Sequence, residues 1–180
     1  MRVNYNYLGD EFKNPESIIK DWKILIKSTD FTLGKFIDKF EKSFAQYIGS
    51  KYCISTNNGT DALILCLKSL GVNKGDEVIT VCNSFYASAG AIAEIGAKPI
   101  FCDSDERYQM NVDDLKNKIT KRTKVIMPVH WGGASPDINK VLRISEENRI
   151  HVVEDACMGI GAKVGNRSPG TFGIINAFSM

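Results

Sequence analysis

The sequence of 180 residues lacks several features that would assign it to common functional classes. No uninterrupted apolar run is long enough to span a membrane, and the first residues lack the basic and then apolar pattern of a signal peptide. Its 23 lysines and arginines are interspersed with 21 acidic residues, giving a formal net charge of +2. Nucleic acids and anionic membranes are therefore poor candidate partners, and we expect a cytoplasmic protein.

Metal-binding and disulfide patterns are missing as well. The chain has only two histidines, and no Cys-x-x-Cys pair occurs among its five cysteines. Because the cysteines are widely spaced, lie mostly inside apolar runs and are odd in number, they predict reduced core thiols rather than a disulfide framework: Cys53, Cys66, Cys82, Cys102 and Cys157. We expect no metal site.

Other catalytic signatures are absent too. No Gly-x-Gly-x-x-Gly joins a strand to a helix, and Gly159-Ile160-Gly161 has no glycine three residues further on. There is no Walker A run, no Gly-x-Ser-x-Gly and no His-Glu-x-x-His. The chain therefore lacks the fingerprints of a dinucleotide-binding fold, a nucleoside triphosphatase, a serine hydrolase and a zinc protease.

What the sequence does contain is an alternation of strand and helix patterns after residue 58. Apolar, β-branched runs predict strands at 77–82, 99–103, 124–130, 150–154 and 175–179. Helical patterns lie between them near 86–95, 112–120 and 137–148. Such alternation predicts a three-layer α/β/α fold with a mainly parallel sheet, in which ligands bind at the carboxyl ends of the strands.

The first fifty residues follow a different pattern. Helices are predicted near 17–27 and 35–47, separated by an aperiodic loop at 28–34, and the second helix carries an aromatic stripe. We therefore divide the chain into a helical segment, 1–50, and an α/β part, 51–180. Since the sequence stops at Met180, next to an apolar strand, we expect that part of a larger protein is missing.

The most informative motif is the polar turn Asn57-Asn58-Gly59-Thr60-Asp61, which follows a predicted strand at 52–55 and opens an apolar helix. Free backbone N–H groups and the positive end of the helix dipole suit a phosphate there. Gly59 permits close approach of the backbone, and Thr60 is the predicted N-cap. The alternative is an ordinary capped helix after a turn.

Three further residues end predicted strands or follow them at the same sheet edge. Asp155 needs a partner if it is buried, such as a cationic heterocycle nitrogen, an arginine or a helix N-terminus. Phe85 has a ring that suits stacking on a planar cofactor, or filling a hydrophobic gap. His130 is either a base or ligand contact, or a structural histidine. A phosphate cradle, a stacking ring and a buried acid together match the requirements of pyridoxal phosphate.

With these parts in place, the chain resembles the nucleotide-sugar aminotransferases of the DegT/StrS type, within the fold type I pyridoxal-phosphate enzymes. The likeness covers nearly the whole chain in order, and its motifs lie at residues 40–47, 58–63, 75–79, 84–85, 96–99 with Asp103, 129–133, 154–157, 170–173 and 177–179. It implies amino transfer from an amino acid, usually glutamate, to a nucleotide-linked keto sugar in polysaccharide or deoxysugar biosynthesis. It also implies a homodimer.

The resemblance assigns roles to particular residues. The cofactor phosphate would be held by Gly59, Thr60, the backbone of Asp61, and Ser179. Phe85 would stack on the pyridine ring, and Asp155 would keep the ring nitrogen protonated. By position alone, Tyr86 and His130 are candidates for contact with the substrate.

Two departures from the family pattern stand out. Met158 occupies the position where the family commonly has a glutamine that contacts the cofactor. The lysine that normally binds the cofactor covalently follows the matched serine by a few residues, beyond Met180, and Lys98, Lys124 and Lys163 are not at that position. We therefore expect that this chain is the amino-terminal part of the large domain, that it lacks the small domain, and that it is inactive alone. The alternatives are a sugar dehydratase of the same superfamily, with histidine for that lysine, or a non-catalytic fragment.

Overall fold

The centre of the fold is a five-stranded parallel sheet. The computed structural model describes residues 6–180, and within them the strands occur in the order β2-β1-β3-β4-β5, with every neighbouring pair parallel. The strands are β1 Glu77–Val81, β2 Lys98–Cys102, β3 Thr123–Met127, β4 His151–Asp155 and β5 Ile175–Ala177. The predicted α/β fold with a mainly parallel sheet is thereby confirmed.

Helices connect the strands and precede them. Their bounds are α1 Leu8–Glu11, α2 Glu16–Ser28, α3 Lys35–Ile48, α4 Gly59–Ser69, α5 Tyr86–Glu94, α6 Val112–Lys118 and α7 Ile138–Asn148, with a short 3-10 helix at Trp131–Gly133. Side chains that accept hydrogen bonds from first-turn N–H groups cap three of these helices, namely Asn58 for α4, Asn111 for α6 and Asp137 for α7.

The helices cover both faces of the sheet. On one face, Leu63 and Leu67 of α4 and Ile92 of α5 pack in one apolar cluster with Val78 and Val153 of the sheet. On the other face, buried side chains of α6 and α7 pack with the alternate residues of β1, β3 and β4. This two-sided burial explains why consecutive residues are apolar in the middle of β1, β3 and β4, as parallel strands between helix layers require.

Two predicted features of the α/β part are wrong. Residues 52–55 belong to no strand, because no sheet neighbour pairs with them among the described residues. The predicted strand at 124–130 ends at Met127, since Pro128 has no N–H to continue the ladder, and only an isolated bridge joins Val129 to Asp155.

The helical segment at the amino terminus contributes little to the core. Residues 1–5 of the predicted segment 1–50 lie outside the described part of the chain. Helix α2 has no buried residue, whereas α3 buries Ala45 and Ile48. Phe44 of the aromatic stripe meets Phe178 edge to face, with ring centroids 5.1 Å apart, and this contact connects α3 to the end of β5.

All five cysteines are free thiols, but they are not all in the core. Cys66 and Cys102 are buried, Cys53 and Cys157 are half-buried, and Cys82 is exposed, so the prediction of core thiols is wrong for Cys82. Among the helices that the structure describes, none combines the length and the apolar character needed to cross a membrane.

The packing of α4 on the sheet gives a direct test of the core. Leu67 is completely buried, so Leu67→Ala is expected to lower the free energy of unfolding by about 2–5 kcal/mol, because it leaves a cavity. Leu65→Ala is the matched control on the same helix, since Leu65 is 53% exposed. Urea unfolding followed by circular dichroism measures both, and equal losses for the two variants would contradict the assigned core.

Candidate functional site

The candidate site lies where the carboxyl ends of β4 and β5 meet the start of α4. Asp155 is the last residue of β4 and pairs with Ala177, the last residue of β5. Cys157 and Ser179 each follow two residues later. A parallel sheet brings these chain ends to one edge, and α4 begins against the same edge.

The amino terminus of α4 keeps two backbone donors free. Asn58 is the N-cap, because its Oδ1 accepts a hydrogen bond of 2.9 Å from the Asp61 N–H. The prediction of Thr60 as N-cap is therefore wrong, and Thr60 lies inside the first turn. The Asp61 N–H is occupied by this cap. Within residues 6–180, the N–H groups of Gly59 and Thr60 donate to no acceptor, so they remain available to an anion.

Close packing beside Gly59 brings Ser179 to this turn. A methyl group added at Gly59 would lie 2.7 Å from the Cβ and 2.9 Å from the Oγ of Ser179, and 3.5 Å from the Sγ of Cys157. Any larger side chain would therefore displace Ser179. The structure thus places Ser179 beside the turn that contains Gly59 and Thr60, and the binding of a phosphate by these residues stays a prediction.

Asp155 is buried on the same edge without a cationic neighbour. The residue is only 5% exposed. Its Oδ2 accepts a 2.7 Å hydrogen bond from Ser88 Oγ, and its Oδ1 accepts a 3.3 Å hydrogen bond from the Cys157 N–H. Among the described residues, no lysine, arginine or histidine forms an ion pair with it. A buried carboxylate is costly without a positive partner, so this site suits a cationic ligand group.

Cys157 is part of this site as a neutral group. Burial, and next the charge of Asp155, raise the pKa of the Cys157 thiol well above its ordinary range. Its thiol therefore stays protonated at neutral pH and does not act as a nucleophile.

Three other residues that are predicted to contact the cofactor or the substrate are accessible to solvent, namely Phe85, Tyr86 and Met158. Phe85 is 61% exposed and Tyr86 is 78% exposed, and their ring centroids lie 4.2 Å apart. Met158 is half exposed. Flat aromatic surface is thus available at the start of α5, on the face of the sheet that Asp155 occupies, and the stacking role of Phe85 stays a prediction.

His130 has a buried partner instead of an open position. It is completely buried, and its Nε2 lies 2.7 Å from Glu154 Oε2. Since a carboxylate only accepts, Nε2 carries the proton in this bond. Of the two interpretations of His130, the structure therefore supports the structural histidine. The side chain lies away from the accessible surface, where a substrate would bind.

Glu154 fixes the loop that leads into β5. It is fully buried and accepts hydrogen bonds from the backbone N–H groups of Gly170 at 2.8 Å, Phe172 at 2.6 Å and Gly173 at 2.7 Å. Burial opposes its ionisation, but the hydrogen bonds from His130, Gly173 and Gly170 outweigh burial and lower the pKa of Glu154 below its ordinary value.

Two residues of the site were missed by the sequence analysis. Ser88 contacts Asp155 from the first turn of α5, and Asn58 caps α4. The signal for Asn58 was available, since asparagine is a stronger N-cap than threonine and Asp61 follows three residues later. Ser88 carried no local signal. The described residues contain no group of three or more histidine, cysteine or acidic side chains that could hold a metal ion.

Comparison with known proteins identifies the family to which this arrangement belongs. The family model of the DegT/DnrJ/EryC1/StrS aminotransferases matches residues 13–180. The chain therefore belongs to this aminotransferase family, as its sequence motifs predicted.

Individual relatives agree with this assignment. The chain is 39% identical over 147 residues to the GDP-perosamine synthase of Vibrio cholerae, which covers 81% of this chain and 40% of that protein. A solved DegT DnrJ EryC1 StrS aminotransferase from Brucella abortus superposes with a TM-score of 0.93 at 31% identity, over 98% of this chain and 50% of that one. The chain thus spans about half the length of these relatives, or less.

A third comparison bears on the cofactor. The structure of NtdA from Bacillus subtilis with bound cofactor PMP matches at 35% identity and a TM-score of 0.81, over 85% of this chain and 36% of that one. Together with the family assignment, it indicates pyridoxal phosphate as the cofactor. The residues present fit this group, because two backbone amides of α4 without an acceptor lie beside Ser179, and because Asp155 is a buried acid with no cationic partner among residues 6–180.

The contact between Gly59 and Ser179 can be tested by adding a single methyl group. Gly59→Ala is expected to displace Ser179 and to weaken the binding of pyridoxamine phosphate at least about tenfold, since it removes a charge-assisted hydrogen bond worth about 1.5–3 kcal/mol. Isothermal titration calorimetry measures the affinity. Gly90→Ala is the control, because a methyl group there meets nothing within 4 Å. Unchanged affinity in Gly59→Ala would contradict the cradle.

The lowered pKa of Glu154 predicts a dependence of stability on pH. A group whose pKa is lower in the folded state stabilises the fold above its unfolded pKa, near 4.5, and loses this contribution as the pH falls through the folded pKa. Glu154→Gln is therefore expected to cost about 1–3 kcal/mol at pH 7 and to flatten the decline in unfolding free energy below pH 4.5. Urea unfolding at several pH values measures this.

The exposed variant Glu147→Gln, on α7, is the control for that experiment. It is expected to leave both the stability at pH 7 and the pH dependence unchanged. If Glu154→Gln retained the full decline in acid, the assigned role of Glu154 would be wrong.

Proposed function

We propose that this chain is the cofactor-binding part of an enzyme that transfers an amino group from an amino acid, glutamate in particular, to a nucleotide-linked keto sugar. The observation that carries the proposal is the buried Asp155 carboxylate, which has no cationic partner in the described part of the chain and ends the strand beside the amides of α4 that donate to no acceptor there. The match to a GDP-perosamine synthase supports a sugar nucleotide as the acceptor.

Each residue of the site has a defined task in this function. The Gly59 and Thr60 N–H groups and the Ser179 hydroxyl bind the phosphate, and the positive end of α4 adds a favourable charge interaction. Phe85 covers one face of the ring. Asp155 holds a proton at the ring nitrogen. When bound, pyridoxal phosphate supplies a ring that accepts electrons from the substrate carbon that loses a proton.

A proton must also be moved at the substrate carbon, and the lysines considered above are not placed for this. Lys98 and Lys124 lie at the beginning of β2 and β3, on the sheet edge opposite to Asp155. The Nζ of Lys163 donates to Ser168 Oγ at 2.9 Å. We therefore propose that these 180 residues bind the cofactor reversibly and do not turn over substrate by themselves.

We also propose that the enzyme forms a homodimer. Ile19, Trp22 and Ile26 of α2 follow one helical face and are 43%, 63% and 63% exposed. An apolar helix face of this kind is typical of a subunit contact.

The proposed role of Asp155 predicts how cofactor affinity responds to removal of its charge. Asp155→Asn keeps the side-chain shape but removes the anion, so the dissociation constant for pyridoxamine phosphate is expected to rise at least about tenfold. Pyridoxamine phosphate is the suitable probe because it has no aldehyde to react with surface lysines. Isothermal titration calorimetry on the 180-residue chain measures the affinity.

The control for this experiment is Asp113→Asn, because the Asp113 side chain is 88% exposed and lies on α6. It should bind the probe like the unaltered chain. Equal affinity of Asp155→Asn and Asp113→Asn would refute the assignment of Asp155, and absence of any binding by the unaltered chain would refute the proposed function.

A further inference from the structure

Ser88 is a buried polar residue whose hydroxyl points at the acid of the site. It lies on the first turn of α5 and is 1% exposed, and its Oγ is 2.7 Å from Asp155 Oδ2. The two residues are 67 positions apart in the chain. A hydrogen bond to a charged group in the interior is stronger than one between neutral groups, so this contact is energetically significant.

The direction of this hydrogen bond follows from its neighbours. A serine hydroxyl has one proton, and an ionised carboxylate only accepts, so the Ser88 proton points to Asp155. Ser84 Oγ lies 3.1 Å from Ser88 Oγ and 3.3 Å from the Phe85 carbonyl oxygen, so Ser88 is the nearer acceptor for the Ser84 proton. The second carboxylate oxygen accepts from the Cys157 N–H at 3.3 Å. Both oxygens of Asp155 are thus oriented, one from α5 and one from the loop after β4.

Ser88 also connects the acid to the turn that carries the aromatic ring. Phe85 is the N-cap residue of α5, and its carbonyl oxygen accepts a 3.1 Å hydrogen bond from the Ser88 N–H. One residue therefore donates through its backbone to Phe85 and through its side chain to Asp155. This pair of hydrogen bonds connects the Phe85 turn to the Asp155 carboxylate.

We propose that Ser88 is a positioning residue for the cofactor ring. Ser88 orients the Asp155 carboxylate towards the ring nitrogen, and it holds the Phe85 turn at a distance from Asp155 that fits the ring. The proposal rests on the proposed function, since it assigns to Ser88 a role in the same site. Ser88 acts through Asp155 and Phe85 and does not itself touch the reacting atoms.

The test measures pyridoxamine phosphate binding to the 180-residue chain in a set of matched serine variants. Ser88→Ala is expected to raise the dissociation constant about tenfold, and to shift the pH profile of the bound probe's absorbance, because the carboxylate loses its fixed orientation. Ser88→Thr, which retains the hydroxyl, is expected to bind within about threefold of the unaltered chain.

The control is Ser145→Ala on α7. Ser145 is also a buried serine, at 5% exposure, but its hydroxyl donates to the Leu142 carbonyl oxygen, away from the site. It is expected to change neither affinity nor the pH profile. Thermal unfolding without ligand compares the stability of all variants.

The binding results for the serine variants can contradict the positioning role of Ser88 in three ways. If Ser88→Ala binds like Ser145→Ala, or if Ser88→Thr does not restore binding, the positioning role is wrong. Should Ser88→Ala fail to fold, Ser84→Ala removes the donor behind Ser88 and is expected to weaken binding about threefold, and no loss there would overturn the proposal. If the unaltered chain binds no probe, the proposed function fails, and this inference fails with it.

Discussion

The site depends on two neighbouring carboxylates at the end of β4. Adjacent residues of a strand point to opposite faces of the sheet, so Glu154 and Asp155 enter different helix layers. Glu154 accepts hydrogen bonds from three backbone N–H groups of residues 170–173 and from His130, and it thereby fixes the loop that leads into β5. Asp155 meets α5 on the other side. Two adjacent residues therefore provide the anchor of the loop before β5 and the buried acid of the site.

The two carboxylates differ in how completely their charge is compensated. Glu154 has four donors, whose combined effect exceeds the cost of burial and lowers its pKa. Asp155 has one hydroxyl and one long backbone bond, and no cation among the described residues. A fully compensated buried charge is structural, whereas an incompletely compensated one is suited to a ligand. This contrast separates the structural role of Glu154 from the cofactor role proposed for Asp155.

Sequence patterns predicted the elements well and local contacts less well. The five strands of the sheet and the helices between them follow from β-branched runs and helical periodicity, and Asp155 was correctly expected at the end of a buried strand. Residues 52–55 have strand-forming composition but no pairing neighbour, and composition cannot supply one. The motif predicts Thr60 as the cap of α4, whereas the hydrogen bond from the Asp61 N–H shows that Asn58 has this role. His130 lies near the carboxyl edge as predicted, but burial against Glu154 removes it from the surface.

By itself, the sequence determined the class of fold, the family, and the sheet edge at which chemistry is expected, because each of these depends on the order of elements and on short motifs. Only the tertiary structure decided which side chains meet there. Gly59 lies beside Ser179, which is 120 residues further along the chain. Ser88 donates a hydrogen bond to Asp155, which is 67 residues further along. Such contacts arise because β4 and β5 are neighbours in the sheet while α4 and α5 pack on one of its faces. No local pattern encodes that arrangement, since it depends on the burial of apolar surface by the whole chain.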